Sequence, residues 1–61
     1  MRAKRIRINT SVIELTAECV NVYRKGEQVK SITSTHFELD ELFVRECELE
    51  LKRHISIRLA D

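Results

Sequence analysis

The stretch that decides the fold runs Phe43-Val-Arg-Glu-Cys-Glu-Leu-Glu-Leu-Lys-Arg-His-Ile-Ser-Ile-Arg-Leu59. Seven of its nine odd positions are apolar, against one of its eight even positions, Val44. Apolar residues at every second position mark a strand with one buried face. A single strand of this length would be far longer than usual. The reading therefore divides it at Lys52-Arg53-His54 into a hairpin that sets Leu51 opposite Ile55. Glu46, Glu48 and Glu50 then line the solvated face of the first arm.

Upstream, Ile13, Leu15, Ala17 and Cys19 alternate with Glu14, Thr16 and Glu18 before the phase changes to Val20 and Val22. A phase change inside a strand implies a β-bulge or a strong twist. Gly26, the only glycine of a chain without proline, follows in Arg24-Lys25-Gly26-Glu27. A two-residue turn at Lys25-Gly26 pairs Val22 with Val29 and Cys19 with Ile32, apolar on apolar. At the N-terminus, Lys4, Ile6 and Ile8 alternate with Arg5 and Arg7, giving a short strand that turns at Asn9-Thr10-Ser11. Residues 36–42 lack a strand period; Leu39, Leu42 and Phe43 fit a short helical connector. The fold expected is mainly β: a small antiparallel sheet or barrel of about five strands with that one connector, in a single domain over residues 1–61.

A helical alternative exists. Asn9-Thr10-Ser11 before Val12 can cap a helix, and residues 38–52 are rich in Glu, Leu, Lys and Arg, which favour helix. Strand followed by two helices is the layout of ribbon-helix-helix dimers, which the start Lys4-Arg-Ile-Arg-Ile-Asn9 superficially resembles. Neither proposed helix carries a clean apolar stripe, so the strand reading takes precedence.

The chain has 61 residues, 43% hydrophobic and 34% charged, with 11 basic against 10 acidic residues. Such a balance belongs to a folded chain, since disorder combines low hydrophobicity with high net charge. A domain of about 60 residues buries only about 60% of its unfolded surface. Small domains compensate with disulfides, a metal or a second subunit. Cys19 and Cys47 allow one disulfide at most, so self-association, as a dimer or ring, is expected. The basic start has no apolar run after it to make a signal peptide, and nothing approaches the length of a membrane span. The expectation is a cytoplasmic protein with reduced cysteines and no membrane partner.

Chemistry-bearing motifs are few. Cys19, His36, Cys47 and His54 lack the closely spaced pairs of a structural zinc site, and no cofactor is expected. No phosphate-binding loop fits around one glycine. No base stands beside a cysteine to activate it. A non-enzymatic protein without a small-molecule substrate is the consequence.

Charge is zoned. Arg2, Lys4, Arg5 and Arg7 form a basic arm without an acid. Residues 38–50 hold Glu38, Asp40, Glu41, Glu46, Glu48 and Glu50 against Arg45. Lys52, Arg53 and Arg58, with His54, are basic again. One consequence is structural: Arg5 and Arg7 lie across from Glu46 and Glu48 on a neighbouring strand, and Glu48 faces Arg58 across the last hairpin. The other is functional: the arm and the Lys52-Arg53 turn converge on one phosphate-binding surface. A pI near 7.8 is low for that role, where values above about 9 are usual.

Residues 20–59 also show the alternating Val20-Asn-Val22-Tyr23, the Gly26 turn, Val29, Phe37 and the basic Lys52-Arg53-His54-Ile55-Ser56. This order is similar to the Sm/Hfq small-barrel pattern. The resemblance implies a ring whose pore holds RNA at Phe37, Lys52 and His54. The chain departs from it where a second glycine would fall near Ser31, in the acid Glu38, and in Arg53 between Lys52 and His54.

Two functional classes follow. The first is an oligomeric nucleic-acid-binding regulator using Arg2, Lys4, Arg5, Arg7, Lys52 and Arg53. The second is a protein-binding adaptor or inhibitor of the phage or mobile-element type. It would use the acidic strand 38–50, with Glu46, Glu48 and Glu50, or an exposed sheet edge. The basic arm places the first ahead.

Overall fold

The computed structural model describes residues 3–60, with side chains to residue 56. It contains β1 (Lys4–Ile8), β2 (Ser11–Leu15), β3 (Cys19–Arg24), β4 (Glu27–Thr33) and α1 (His36–Ala60). The strands form one antiparallel meander in the order β1-β2-β3-β4, and α1 lies across one face of it.

Two short reversals build the hairpins. Ile8 pairs with Ser11 around Asn9, whose φ is 56°; asparagine tolerates that left-handed conformation better than most residues. Arg24 pairs with Glu27 around Lys25 and Gly26, with φ of 52° and 83°. Two consecutive positive φ values make the tight turn that matches strand twist. The turn lies where the Gly26 signal put it, but the register does not follow it along the strands. A bulge at Val29 shifts the pairing, so Val22 meets Lys30 and Cys19 meets Thr33. The apolar partners are instead Val20 and Ile32. The phase change between Cys19 and Val20 is also not a bulge. β2 ends at Leu15, and Thr16 closes a chain reversal: its hydroxyl accepts from the amides of Glu18 (3.2 Å) and Cys19 (3.0 Å).

The largest correction concerns the deciding stretch. Residues 36–60 form one helix of 25 residues, so the second hairpin is absent, the sheet has four strands rather than five, and the short connector is only the first turns of α1. The Sm/Hfq-like order of strands fails for the same reason. The ribbon-helix-helix alternative fails at Asn9-Thr10, which is a hairpin turn. The helix starts where Thr35 offers its carbonyl to the amides of Glu38 (3.0 Å) and Leu39 (3.2 Å). Ser34 donates to the Glu38 carboxylate. Thr35-x-x-Glu38 has the spacing of a capping box, and Glu38 in the first turn complements the helix dipole.

Strand alternation assigns the faces. Ile13 and Leu15 of β2 and Val20 and Val22 of β3 point toward α1, which inserts Leu39 and Phe43 between them; all six are buried. Ile8, Leu42 and Cys47 pack at the border of this core. The buried line along the helix reads Leu39, Phe43, Glu46, Glu50, the 4-3-4 spacing of a helix face.

Two of those four residues are carboxylates, and the sheet neutralises both. Lys30 Nζ donates to Glu46 Oε1 at 3.0 Å. Arg24 donates to Glu50 Oε1 from Nε (2.9 Å) and Nη2 (2.5 Å), and Ser11 Oγ donates to Glu50 Oε2 at 2.9 Å. Glu46 and Glu50 therefore pair with β4, β3 and β2, not with Arg5 and Arg7 of β1. Among the described residues no buried side-chain polar atom lacks a partner, as the cost of burying charge requires.

Candidate functional site

The sheet face turned away from α1 is polar. Its register sets Arg5, Glu14, Asn21 and Ser31 in one cross-strand row, and Arg7, Val12, Tyr23 and Gln28 in the next. The first row is held by hydrogen bonds. Asn21 Nδ2 donates to Glu14 Oε1 (3.1 Å) and Ser31 Oγ donates to Asn21 Oδ1 (2.7 Å). Tyr23 Oη reaches the same Glu14 oxygen at 3.5 Å. Glu14 is thereby engaged within its own strand neighbourhood.

At one end of this face lies an open hollow of about 610 Å³, lined by Arg5, Arg7, Thr10, Val12, Lys25 and Gly26. Among the described residues, three cations and no carboxylate border it. The two hairpin turns meet here, joined by the Lys25 amide donating to the Thr10 carbonyl at 3.0 Å. Arg7 Nε donates to the Asn9 carbonyl at 3.2 Å, which fixes its guanidinium beside the turn. The positive φ at Lys25 sets that residue on the hollow's rim. Glycine at 26 serves the backbone, since a Cβ there would meet nothing within 4 Å. Such a site can hold anionic oxygens by charge and by hydrogen bonds.

The structure gathers only part of the expected basic set. Arg5 and Arg7 share the hollow. Lys4 points to the opposite, helix-bearing side, in the row of Leu15 and Val20. Lys52 and Arg53 belong to α1, on the far side of the sheet, so the arm and the supposed Lys52-Arg53 turn do not converge. Arg53 instead lies 3.9 Å from Glu50. Arg2 falls outside the described residues, as does the Arg58 side chain. Lys25 is the cation that sequence reasoning missed. The signal was present: a predicted two-residue turn at Lys25-Gly26 brings that lysine level with the end of the neighbouring hairpin.

The acidic set is divided as well. Glu46 and Glu50 are buried against the sheet, while Glu48 is exposed on the opposite side of α1. Glu48 borders an open hollow of about 480 Å³ with Asp40, Glu41, Val44 and Arg45. Burial raises the Glu50 carboxyl, but the hydrogen bonds from Arg24 and Ser11 and the charges of Arg24 and Arg53 outweigh it. The net result lies below the ordinary carboxylate range. Glu50 is therefore a fixed anion of the fold.

The cysteines are both free. Cys19 belongs to the outward rows of β3 and Cys47 to the helix side, so the sheet separates them. Burial, with Glu46 beside it, pushes the Cys47 thiol up, the opposite of nucleophile activation. Among the described residues no three His, Cys, Asp or Glu side chains are grouped to hold a metal, and no helix is long and apolar enough to cross a membrane.

Sheet edges favour solvent over strand addition. β1 presents Lys4, Arg5 and Arg7, and β4 carries the bulge at Val29; edge charges and bulges both block pairing with another strand. Compared with protein-family models, curated proteins and solved structures, the chain matches none.

Proposed function

We propose that this chain is a small, non-enzymatic, cytoplasmic binding module. In this reading it is a regulator that contacts nucleic-acid phosphates through the outward sheet face. The observation that carries the reading is the hollow bordered by Arg5, Arg7 and Lys25, with no carboxylate among the described residues of its lining. Tyr23 is the one aromatic of the outward rows, which favours backbone contact over a base-stacking platform. Lys4, Lys52 and Arg53 lie on other surfaces and take no part. We also read the module as self-associating, because so small a domain gains stability from a second subunit. A protein-binding role, of the adaptor or inhibitor type, finds its support on the outward side of α1 rather than on an acidic strand.

The test is a fluorescence-anisotropy titration with mixed-sequence DNA and RNA. Three phosphate contacts predict a loss of about 40-fold in affinity between about 50 and about 200 mM salt. Arg5→Ala, Arg7→Ala and Lys25→Ala should each lower the salt slope by about one. Absence of binding at the lower salt refutes the reading.

A further inference from the structure

We infer that the outward side of α1 is the interface between two copies of this chain, packed with their helices antiparallel about residue 46. The inference rests on the reading of self-association and adds to it a surface and an orientation.

The first observation is a second apolar line on the helix. Phe37, Val44, Leu51 and Ile55 are 90%, 56%, 48% and 53% exposed. Their spacing sets them in one line, opposite Leu39, Phe43, Glu46 and Glu50. A surface helix needs one apolar face; this helix has two, and the sheet covers only one.

The second observation is shape. Glu50 meets Ser11 and Arg24 in the last paired row of the sheet, so residues 51–60 run about 15 Å past it at 1.5 Å per residue. The radius of gyration is 11.9 Å, against about 10.5 Å for a compact chain of this length. The accessible surface is 4723 Å², while a compact monomer of this mass exposes about 4100 Å². The surplus of about 600 Å² approaches the roughly 800 Å² that each partner contributes to a standard interface.

The third observation is charge order, and it selects the orientation. The ends of the apolar line, Phe37 and Ile55, lie symmetrically about residue 46. Two antiparallel helices crossing there bring Phe37 of one copy to Ile55 of the other. One flank of the line reads Glu41, Arg45, Glu48, Lys52, all exposed. Antiparallel packing sets this flank against itself, so Glu41 meets Lys52 of the second copy and Arg45 meets its Glu48. By two-fold symmetry each pair occurs twice. Among the described residues none of these four has an ion-pair partner within its own chain. The guarded sheet edges and the polar outer sheet face leave this side of α1 as the apolar surface for a copy to cover.

The experiment is sedimentation equilibrium on the full chain, with circular dichroism to confirm folding. Glu41→Lys and Lys52→Glu change exposed residues away from the core. Each should weaken the dimer about tenfold by turning two attractions into repulsions, and the double exchange should restore it. Val44→Glu should give a folded monomer. A wild-type chain that stays monomeric at high concentration overturns both self-association and this interface. A wild-type dimer untouched by all three single changes overturns the interface and leaves self-association standing. Weakened single variants without rescue in the double exchange overturn the antiparallel pairing.

Discussion

Replacing Arg24 by Met tests the charged half of the helix–sheet contact. The change removes both N–H donors, at 2.9 and 2.5 Å, from Glu50 Oε1. It leaves the Ser11 hydrogen bond at 2.9 Å and Arg53 at 3.9 Å. Glu50 stays buried at 4% side-chain exposure, while Arg24 is 36% exposed. Stripping the partner from a fully buried ion costs about 3–5 kcal/mol. Arg24 is partly solvated and Arg53 partly replaces it, which reduces the expected loss to about 2 kcal/mol. In a chain this size that lowers Tm by about 10–15 °C. The pH dependence gives the sharper contrast. In the wild type the folded Glu50 pKa lies below its unfolded value. Its contribution is therefore present above the unfolded pKa of about 4.3 and is lost as pH falls through the folded pKa. In the variant, burial prevails and the folded pKa rises above the unfolded one. The variant then regains stability as pH falls through that raised value. The difference between the two proteins should narrow steadily from pH 7 toward about pH 3. Urea unfolding followed by circular dichroism at several pH values measures it. Glu50→Gln added to Arg24→Met should recover part of the loss and shows the coupling even if the single variant unfolds. A loss that is equal at pH 7 and pH 3, or below about 0.5 kcal/mol, refutes the argument that Glu50 is a buried anion held by Arg24.

Two further perturbations separate residues that the sequence placed side by side. Glu46→Lys sets an ammonium against Lys30, whose Nζ lies 3.0 Å from the native carboxylate, and should cost about 2 kcal/mol in urea unfolding. Glu48→Lys, measured at dilutions where the chain is monomeric, should leave the unfolding midpoint unchanged, and equal effects at both positions would contradict the helix orientation. At the turn, Gly26→Val forces a β-branched residue to φ of 83° and should cost about 1–2 kcal/mol. Gly26→Asn should cost less, and an order reversed between them would exclude the left-handed turn.

The first 33 residues were largely legible because their signals are local. Alternation at Lys4–Ile8, at Ser11–Leu15 and from Val20 to Val22 records which side chains face the core, and each strand carries its own record. Glycine at 26 announces a positive φ without help from the rest of the chain. The Val29 bulge was not legible, because no single strand encodes its partner's register. The end of β2 was missed because Thr16 closes the reversal with its hydroxyl, where a glycine or proline would have announced it.

The helix was hidden by two tertiary facts. Its buried line contains Glu46 and Glu50, which count as polar in any periodicity and are tolerated inside only because Lys30, Arg24 and Ser11 arrive from three strands of the sheet. Its apolar residues are divided between two sides. Phe43 and Cys47 face the sheet, Leu51 and Ile55 face away, and Leu49 lies between. Projected onto the sequence, the two sets fall on alternate positions and imitate a strand. The candidate site divides in the same way. The sequence by itself determined that Arg5 and Arg7 project to one side of a strand, because alternation is a property of one strand's backbone. Only the tertiary structure decided that Lys25 joins them while Lys52 and Arg53 do not. That outcome depends on which face of the sheet the helix covers, a choice made by buried apolar area and paired charge across the whole chain.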